Sequence, residues 1–238
     1  MPKKRLSFKF VAILAFLVFL MVGVLLSPIF RITQIDIIGN NAISREDILA
    51  ASQLAIGDNI FAFGASGAVG RIIDSSPYIR AAAIGRDLPG NITIQVQERV
   101  ATANIRLASG NTYLLIDDTG MVLASSPQAV HHLPRITGLH FTSFSIGQYL
   151  QLDNTAVFND ILLLSRIFTI YDFFPDMVDF SNPRDIVMFK GPFDIAFGNM
   201  EDAQRKVRYL ESIVRQSPLD VGFIDVSDPN SPRQRLSR

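Results

Sequence analysis

The side chains with catalytic or metal-binding chemistry are few in this sequence, and their spacing does not suit it. Three histidines occur, His131, His132 and His140. Ligating histidines on one element arrive at i, i+3 or i, i+4, and an adjacent pair on regular structure cannot converge on one ion. His131 and His132 therefore read as loop residues, and no metal site is expected. Asp117 and Asp118 in YLLIDDTGMVLA resemble the start of a calcium corner, yet the alternating acids and terminal glutamate of a calcium loop do not follow. DDTG reads as a hairpin turn. GASGAVG, residues 64–70, has neither the Gly-Lys-Ser/Thr end of a phosphate loop nor GxGxxG spacing, so it reads as helix entry and no cofactor is expected. With no cysteine and no G-x-S-x-G elbow, no nucleophile stands out. Asp172, Asp176 and Asp179 are the acids that a hydrolase would need to bring together. The balance points to a binding protein rather than an enzyme.

The elements around these residues begin with an apolar run. FVAILAFLVFLMVGVLL carries no charge from Phe10 to Leu26 and continues through Ser27-Pro28-Ile29 to Phe30. About 20 helical residues cross a hydrocarbon layer of roughly 30 Å, which predicts a transmembrane helix over 10–30. A cleaved signal peptide has a shorter apolar centre and a small-residue cleavage site, and LLSPIF offers none. Lys3, Lys4, Arg5 and Lys9 precede the run and only Arg31 closely follows it, so the amino end, residues 1–9, is expected in the cytoplasm and the remainder outside. Removing those four cations from 22 leaves 18 against 22 acids, a balance of minus four that gives no reason to bind nucleic acid. Without cysteine the exported part has to hold together by core packing alone.

Beyond the span, FRITQIDIIGN reads as a strand and turn, followed by a helix capped at Ser44 with Glu46 and Asp47 in its first turn and Ile48, Leu49 and Leu54 as apolar face. A second short helix is expected around Ala68 to Asp74. RDLPGNITIQVQER supplies a hairpin, with Pro89 fixing one dihedral angle and Gly90 accepting a positive one, and with Ile92, Ile94 and Val96 on one face. Its closing pair, Glu98-Arg99, is either a joint to the next region or a solvated strand end. Residues 31–100 thus form a strand-helix-helix-strand-strand domain. Residues 101–228 form a second, mostly antiparallel β domain with two helices: NTAVFNDILLLSRIFTIYDFF, capped by Asn154 and mostly buried, and EDAQRKVRYLESIVRQ. In the latter, Val207, Leu210, Ile213 and Val214 make an apolar stripe, and Arg205, Lys206, Arg208 and Arg215 a basic face. That face is either solvated or turned to an acidic partner. DMVDF, RDIVMFKG and FDIAFGN read as a meander, and a polar tail is expected at 229–238. The fold class is α+β.

The order IDIIGNNAISREDI, then PYIRAAAIGRDLPGNITIQVQERVATANI, resembles a POTRA domain. With YLLIDDTGMVLA, LPRITGL and FIDVSDP following it, the chain is similar to the FtsQ/DivIB family of bacterial cell-division proteins. The resemblance implies a single-pass scaffold in the cell membrane at the division septum. Its implied partners are FtsB/DivIC-like and FtsL-like membrane-anchored coiled-coil proteins, and through them the septal peptidoglycan synthesis machinery. It also implies that the POTRA-like unit offers the strand Ile32–Ile38 for contacts. Strand addition is the expected binding mode, along an exposed edge formed by Gly222, Phe223, Ile224, Asp225, Val226 and Ser227. Phe223 and Val226 are expected to pack or fill pockets, with Ile224 and Asp225 on the opposite side. The rival readings are an exported cell-wall enzyme and a ligand-binding sensor ectodomain.

Overall fold

The apolar amino-terminal run folds as helix α1, Phe8–Leu25. Pro28 has no N–H to continue it. Instead Ser27 caps a single 3-10 turn, Pro28–Phe30. At 1.5 Å per residue α1 is about 27 Å long, and no helix among the described residues is long and apolar enough to cross a membrane. The expected span over 10–30 is therefore not one continuous helix. The computed structural model describes residues 8–107, 111–141, 143–216 and 221–237; most of the cationic amino end lies outside them. The chain divides into two units, Met1–Glu98 and Arg99–Arg238.

In the first unit, β1 (Gln34–Ile38), α2 (Arg45–Ser52), α3 (Ala65–Ser75), β2 (Ile79–Asp87) and β3 (Asn91–Glu98) follow one another. The sheet order is β1-β3-β2, with β1 parallel and β2 antiparallel to β3. Parallel neighbours need a long crossover, and α2 and α3 supply it. Ile92, Ile94 and Val96 point into a core with Ile37, Ile48 and Ile72, while Gln95 and Gln97 face water. The Ser44 hydroxyl caps α2, accepting from the Asp47 N–H at 3.1 Å. Leu49, expected on the apolar face, is instead exposed. Gly90 closes the β2–β3 turn without a positive φ; it is needed because a Cβ there would collide with the carbonyl oxygen of Arg31. Gly39, just after β1, does need its φ of 84°.

The second unit runs β4 (Ala101–Arg106), β5 (Tyr113–Asp117), β6 (Val122–Ser126), β7 (Arg135–Thr137), α4 (Thr155–Tyr171), β8 (Met177–Asp179), β9 (Ile186–Lys190), β10 (Phe193–Gly198), α5 (Ala203–Gln216), β11 (Val221–Asp225) and β12 (Arg233–Ser237). They form a nine-stranded sheet in the order β12-β11-β10-β9-β8-β7-β4-β5-β6. The sheet is mixed. Five of its neighbouring pairs are antiparallel, while β4–β7, β7–β8 and β10–β11 are parallel. The helices account for two of these, because α4 carries the chain from β7 to β8 and α5 carries it from β10 to β11. The meander expected for DMVDF, RDIVMFKG and FDIAFGN is present as β8, β9 and β10, consecutive antiparallel neighbours, and the crossovers lie on either side of it. Val157, Ile161, Leu164 and Phe168 of α4 and Val207, Leu210 and Ile213 of α5 join Ile105, Ile136, Met188, Ile195 and Ile224 of the strands in one core. Asn154 caps α4 through its side-chain oxygen, which accepts from the N–H groups of Ala156 and Val157. Leu163 and Ile170 of α4 stay exposed.

Candidate partner-binding edge

The carboxyl-terminal side of the sheet holds the segment expected to bind a partner. β11 lies parallel to β10, pairing Gly222 with Phe193 and Asp225 with Ala196. Gly222 N–H donates to Pro192 (3.3 Å) and Val226 N–H to Ala196 (2.9 Å). The even-numbered residues of this strand therefore turn their backbone groups to β10. Period-2 alternation sends the backbone groups of Val221, Phe223 and Asp225 the other way. There they meet β12, antiparallel, with Phe223 opposite Arg235 and Asp225 opposite Arg233.

Three expectations change. The edge of the sheet is β12, not Gly222–Ser227, and the polar tail expected at 229–238 contains that strand. Phe223 and Val226 do not share a face: Ile224 and Val226 are buried in the core, whereas Phe223 is 46% exposed and Val221 53%. The Val226 N–H belongs to the inner ladder with β10. Asp225 and Ser227 end the strand locally, since the Asp225 carboxylate accepts from the Ser227 hydroxyl (2.6 Å) and N–H (2.9 Å). Those bonds, the hydroxyl first, hold its pKa below the usual value.

On β12 the alternation continues, so that Arg233, Arg235 and Ser237 address β11 while the main chain of Gln234 and Leu236 points away from the sheet. Arg233 and Arg235 are exposed. Beside this hairpin, Arg205 of α5 donates to the Pro229 carbonyl and to the Asn230 side chain (2.8 Å). Arg205, Arg208, Tyr209, Pro229 and Pro232 border a groove of about 370 Å³. Lys206 does not belong to the basic face where it was expected. It is 1% exposed, donates to the carbonyls of Phe197 (3.1 Å) and Asn199 (2.9 Å), and lies over the Phe197 ring. Burial lowers its pKa, against the pull of Glu201, Asp202, Asp225 and Asp228.

The residues with potential for chemistry are not gathered. His131, His132 and His140 are exposed, and no group of three or more His, Cys, Asp or Glu is assembled among the described residues. Asp172 ends α4 in the left-handed conformation, Asp176 accepts from the Gly191 N–H (2.6 Å), and Asp179 accepts from the Ser181 N–H (2.8 Å). Gly64 is the cap of α3, so GASGAVG enters a helix. Asp117 is more than a turn residue: it is buried, accepts from Thr119 and Met121 N–H groups, and pairs with Arg99 at 2.7 Å. Glu98 is likewise engaged, accepting from the N–H groups of Asn41, Ala42 and Ile43 at 2.9, 2.7 and 2.9 Å. Neither member of the Glu98-Arg99 pair is a solvated strand end. No sequence pattern marked the Arg99–Asp117 pair or the Glu98 contacts, because those partners are far along the chain.

Residues 30–99 match the family model described as POTRA domain, FtsQ-type. The chain is similar to the cell division protein DivIB of Clostridium botulinum strain Hall, 29% identical with 97% of this chain and 91% of that protein covered. It is similar to the DivIB of Clostridium tetani, at 26% with 86% and 79% covered. To the cell division protein FtsQ of Syntrophotalea carbinolica it is 28% identical, with 87% and 73% covered. The chain thus carries an FtsQ-type POTRA domain and is similar along most of its length to the bacterial cell-division proteins DivIB and FtsQ.

Proposed function

We propose that this protein is a membrane-anchored scaffold of the division machinery, and that its carboxyl-terminal sheet edge captures a partner by strand addition. The carrying observation is the position of β12, at the end of a nine-stranded sheet with the main chain of Gln234 and Leu236 directed outward. Such an edge pairs its N–H and C=O groups with any extended segment that fits. Gly222–Ser227 lies one strand inside and supports β12, with Phe223 beside Arg235 on the open face. Arg233 and Arg235, with Arg205 and Arg208 of α5, favour an acidic segment through electrostatic complementarity. The FtsB/DivIC-like and FtsL-like coiled-coil proteins are the partners this reading assigns, and septal peptidoglycan synthesis is the process it controls.

The anchor in this reading is α1 with its flanking residues. From Phe10 to Val24 the helix is apolar on every side and exposed, with Phe16 at 64% and Phe19 at 77%. A helix that is hydrophobic all round needs an apolar surrounding. The amino end then stays in the cytoplasm and both units lie outside. The test is co-purification of the full chain with a candidate coiled-coil partner, comparing wild type with Gln234→Pro. Proline removes an outward N–H and leaves the ladder to β11 intact. Loss of the partner with an unchanged melting temperature supports the reading; full retention moves the interface elsewhere, and no capture by the wild type removes the scaffold assignment.

A further inference from the structure

At one end of the large sheet, where β5, β7 and β8 begin and β9 ends, a cleft of about 850 Å³ opens onto the loop before β7. Its wall carries Tyr113, His131, His132, Arg135, Asp176 and Lys190. The two fixed cations are held by neutral acceptors: Arg135 Nε donates to the Asp176 carbonyl (3.1 Å) and Lys190 Nζ to the Phe174 carbonyl (2.7 Å). Those bonds orient the groups without cancelling their charge. Among the described residues, no ion pair joins either cation to a carboxylate, and the Asp176 carboxylate is instead engaged by the Gly191 N–H (2.6 Å). Among the described residues, the side-chain bond of Arg135 engages Nε and not the terminal N–H groups of the fork.

The histidine loop is also built rather than slack. Buried Asn104 donates to the carbonyls of Val130 (3.0 Å) and Leu133 (3.1 Å) and accepts from the Val130 N–H (2.8 Å). Between those anchors His132 is held at a φ of 61°. That left-handed conformation is uncommon for a residue with a side chain and persists only where its surroundings impose it.

We propose that this cleft binds a phosphate group carried on a polar, hydroxyl-bearing ligand. An arginine fork and a lysine point charge are the usual pair for a phosphate. His131, His132 and the Tyr113 hydroxyl add donors, and the volume falls in the range of sites that take a whole small molecule rather than a bare ion. The site lies within the second unit and is independent of the sheet edge assigned to a protein partner.

Isothermal titration of the full chain in a neutral detergent tests it, with glycerol 3-phosphate, inorganic phosphate and glycerol as probes. Short-chain phosphatidylglycerol in the same micelles separates a lipid headgroup from a soluble phosphate. Glycerol 3-phosphate is expected to saturate, to bind more tightly than inorganic phosphate, and to weaken as salt screens the cations; glycerol is expected not to bind. Arg135→Gln with Lys190→Gln is expected to reduce affinity by about tenfold or more, the effect of losing charge-assisted hydrogen bonds. Because both residues also bond main chain, His131→Gln with His132→Gln provides a second variant, expected to weaken binding several-fold at an unchanged melting temperature. Saturation by phosphatidylglycerol that the same variants weaken supports the site and assigns the headgroup as its source. Absence of saturation by either phosphate ester, or affinity unchanged in both variants, overturns the proposal, and equal affinity for inorganic phosphate overturns the polar-ligand part of it.

Discussion

The Glu98 carboxylate gathers three backbone N–H groups of the turn between β1 and α2, and a carboxylate so placed is favoured in its charged form. Burial works to raise its pKa, but the bonds from Ala42, Asn41 and Ile43 together hold it below the ordinary 4.5. Because the folded value is the lower one, its contribution is present above the unfolded value and is lost as pH falls through the folded one. Glu98→Gln is expected to cost about 1–3 kcal/mol near neutral pH. Denaturant unfolding at successively lower pH should show the gap from wild type closing; a constant gap would mean that the carboxylate charge is not what the turn uses. Asp117 obeys the same sign: burial opposes ionisation, while Thr119, Arg99 and Met121 outweigh it. Arg99 and Asp117 form a buried pair, so Asp117→Asn leaves a guanidinium without its counter-charge. A loss of about 3–5 kcal/mol is expected in urea unfolding of the full chain. A loss below about 1 kcal/mol would place the pair with exposed surface bridges.

At the scale of elements, the β11–β12 hairpin separates two proline substitutions that look alike in sequence. Val226→Pro deletes a bond to Ala196 at a buried position and leaves that carbonyl without its partner, for an expected cost of about 1–3 kcal/mol. Gln234→Pro alters only the outward edge and is expected to stay within about 0.5 kcal/mol of wild type in thermal unfolding. If the two melt alike, the register of the hairpin is wrong. The same region shows which elements sequence can reveal. The alternation in NITIQVQE and the stripe Val207, Leu210, Ile213 are local, and the structure places them as read. The parallel pairs of the large sheet are set by crossovers through α4 and α5, and no local period encodes which strand lies beside which. RQRLS has no apolar alternation, since β12 rests on backbone pairing with β11. Lys206 reads as a surface cation because the carbonyls that accept its hydrogen bonds belong to the end of β10 and the residue just after it, outside its helix.

At the scale of the whole molecule, the apolar surface of α1 has to be kept from water. Its apolar side chains are exposed on every side, and Asn59 ties its last turn to the first unit by donating to the Leu25 carbonyl (2.8 Å). With the adjoining Leu26 to Phe30 it approaches the roughly 30 Å of a hydrocarbon layer, which thins or is met by snorkelling side chains when a helix is slightly short. In the proposed reading, anchoring by α1 and partner capture at β12 are separable by substitution. A single arginine at the centre of a span costs about 2.5–3.5 kcal/mol of insertion, and Leu17→Arg with Val18→Arg should roughly double that. Such a chain is expected to leave the membrane fraction on alkaline extraction, while wild type remains in it. Protease added outside spheroplasts should degrade both folded units of the wild type and spare an epitope fused to the amino end. Protection of both units from external protease would reverse the orientation, and a wild type released by alkali would mean that α1 is covered by protein rather than lipid. In that second case the edge at β12 would still be testable, because Gln234→Pro acts on backbone pairing and does not depend on where the chain is anchored.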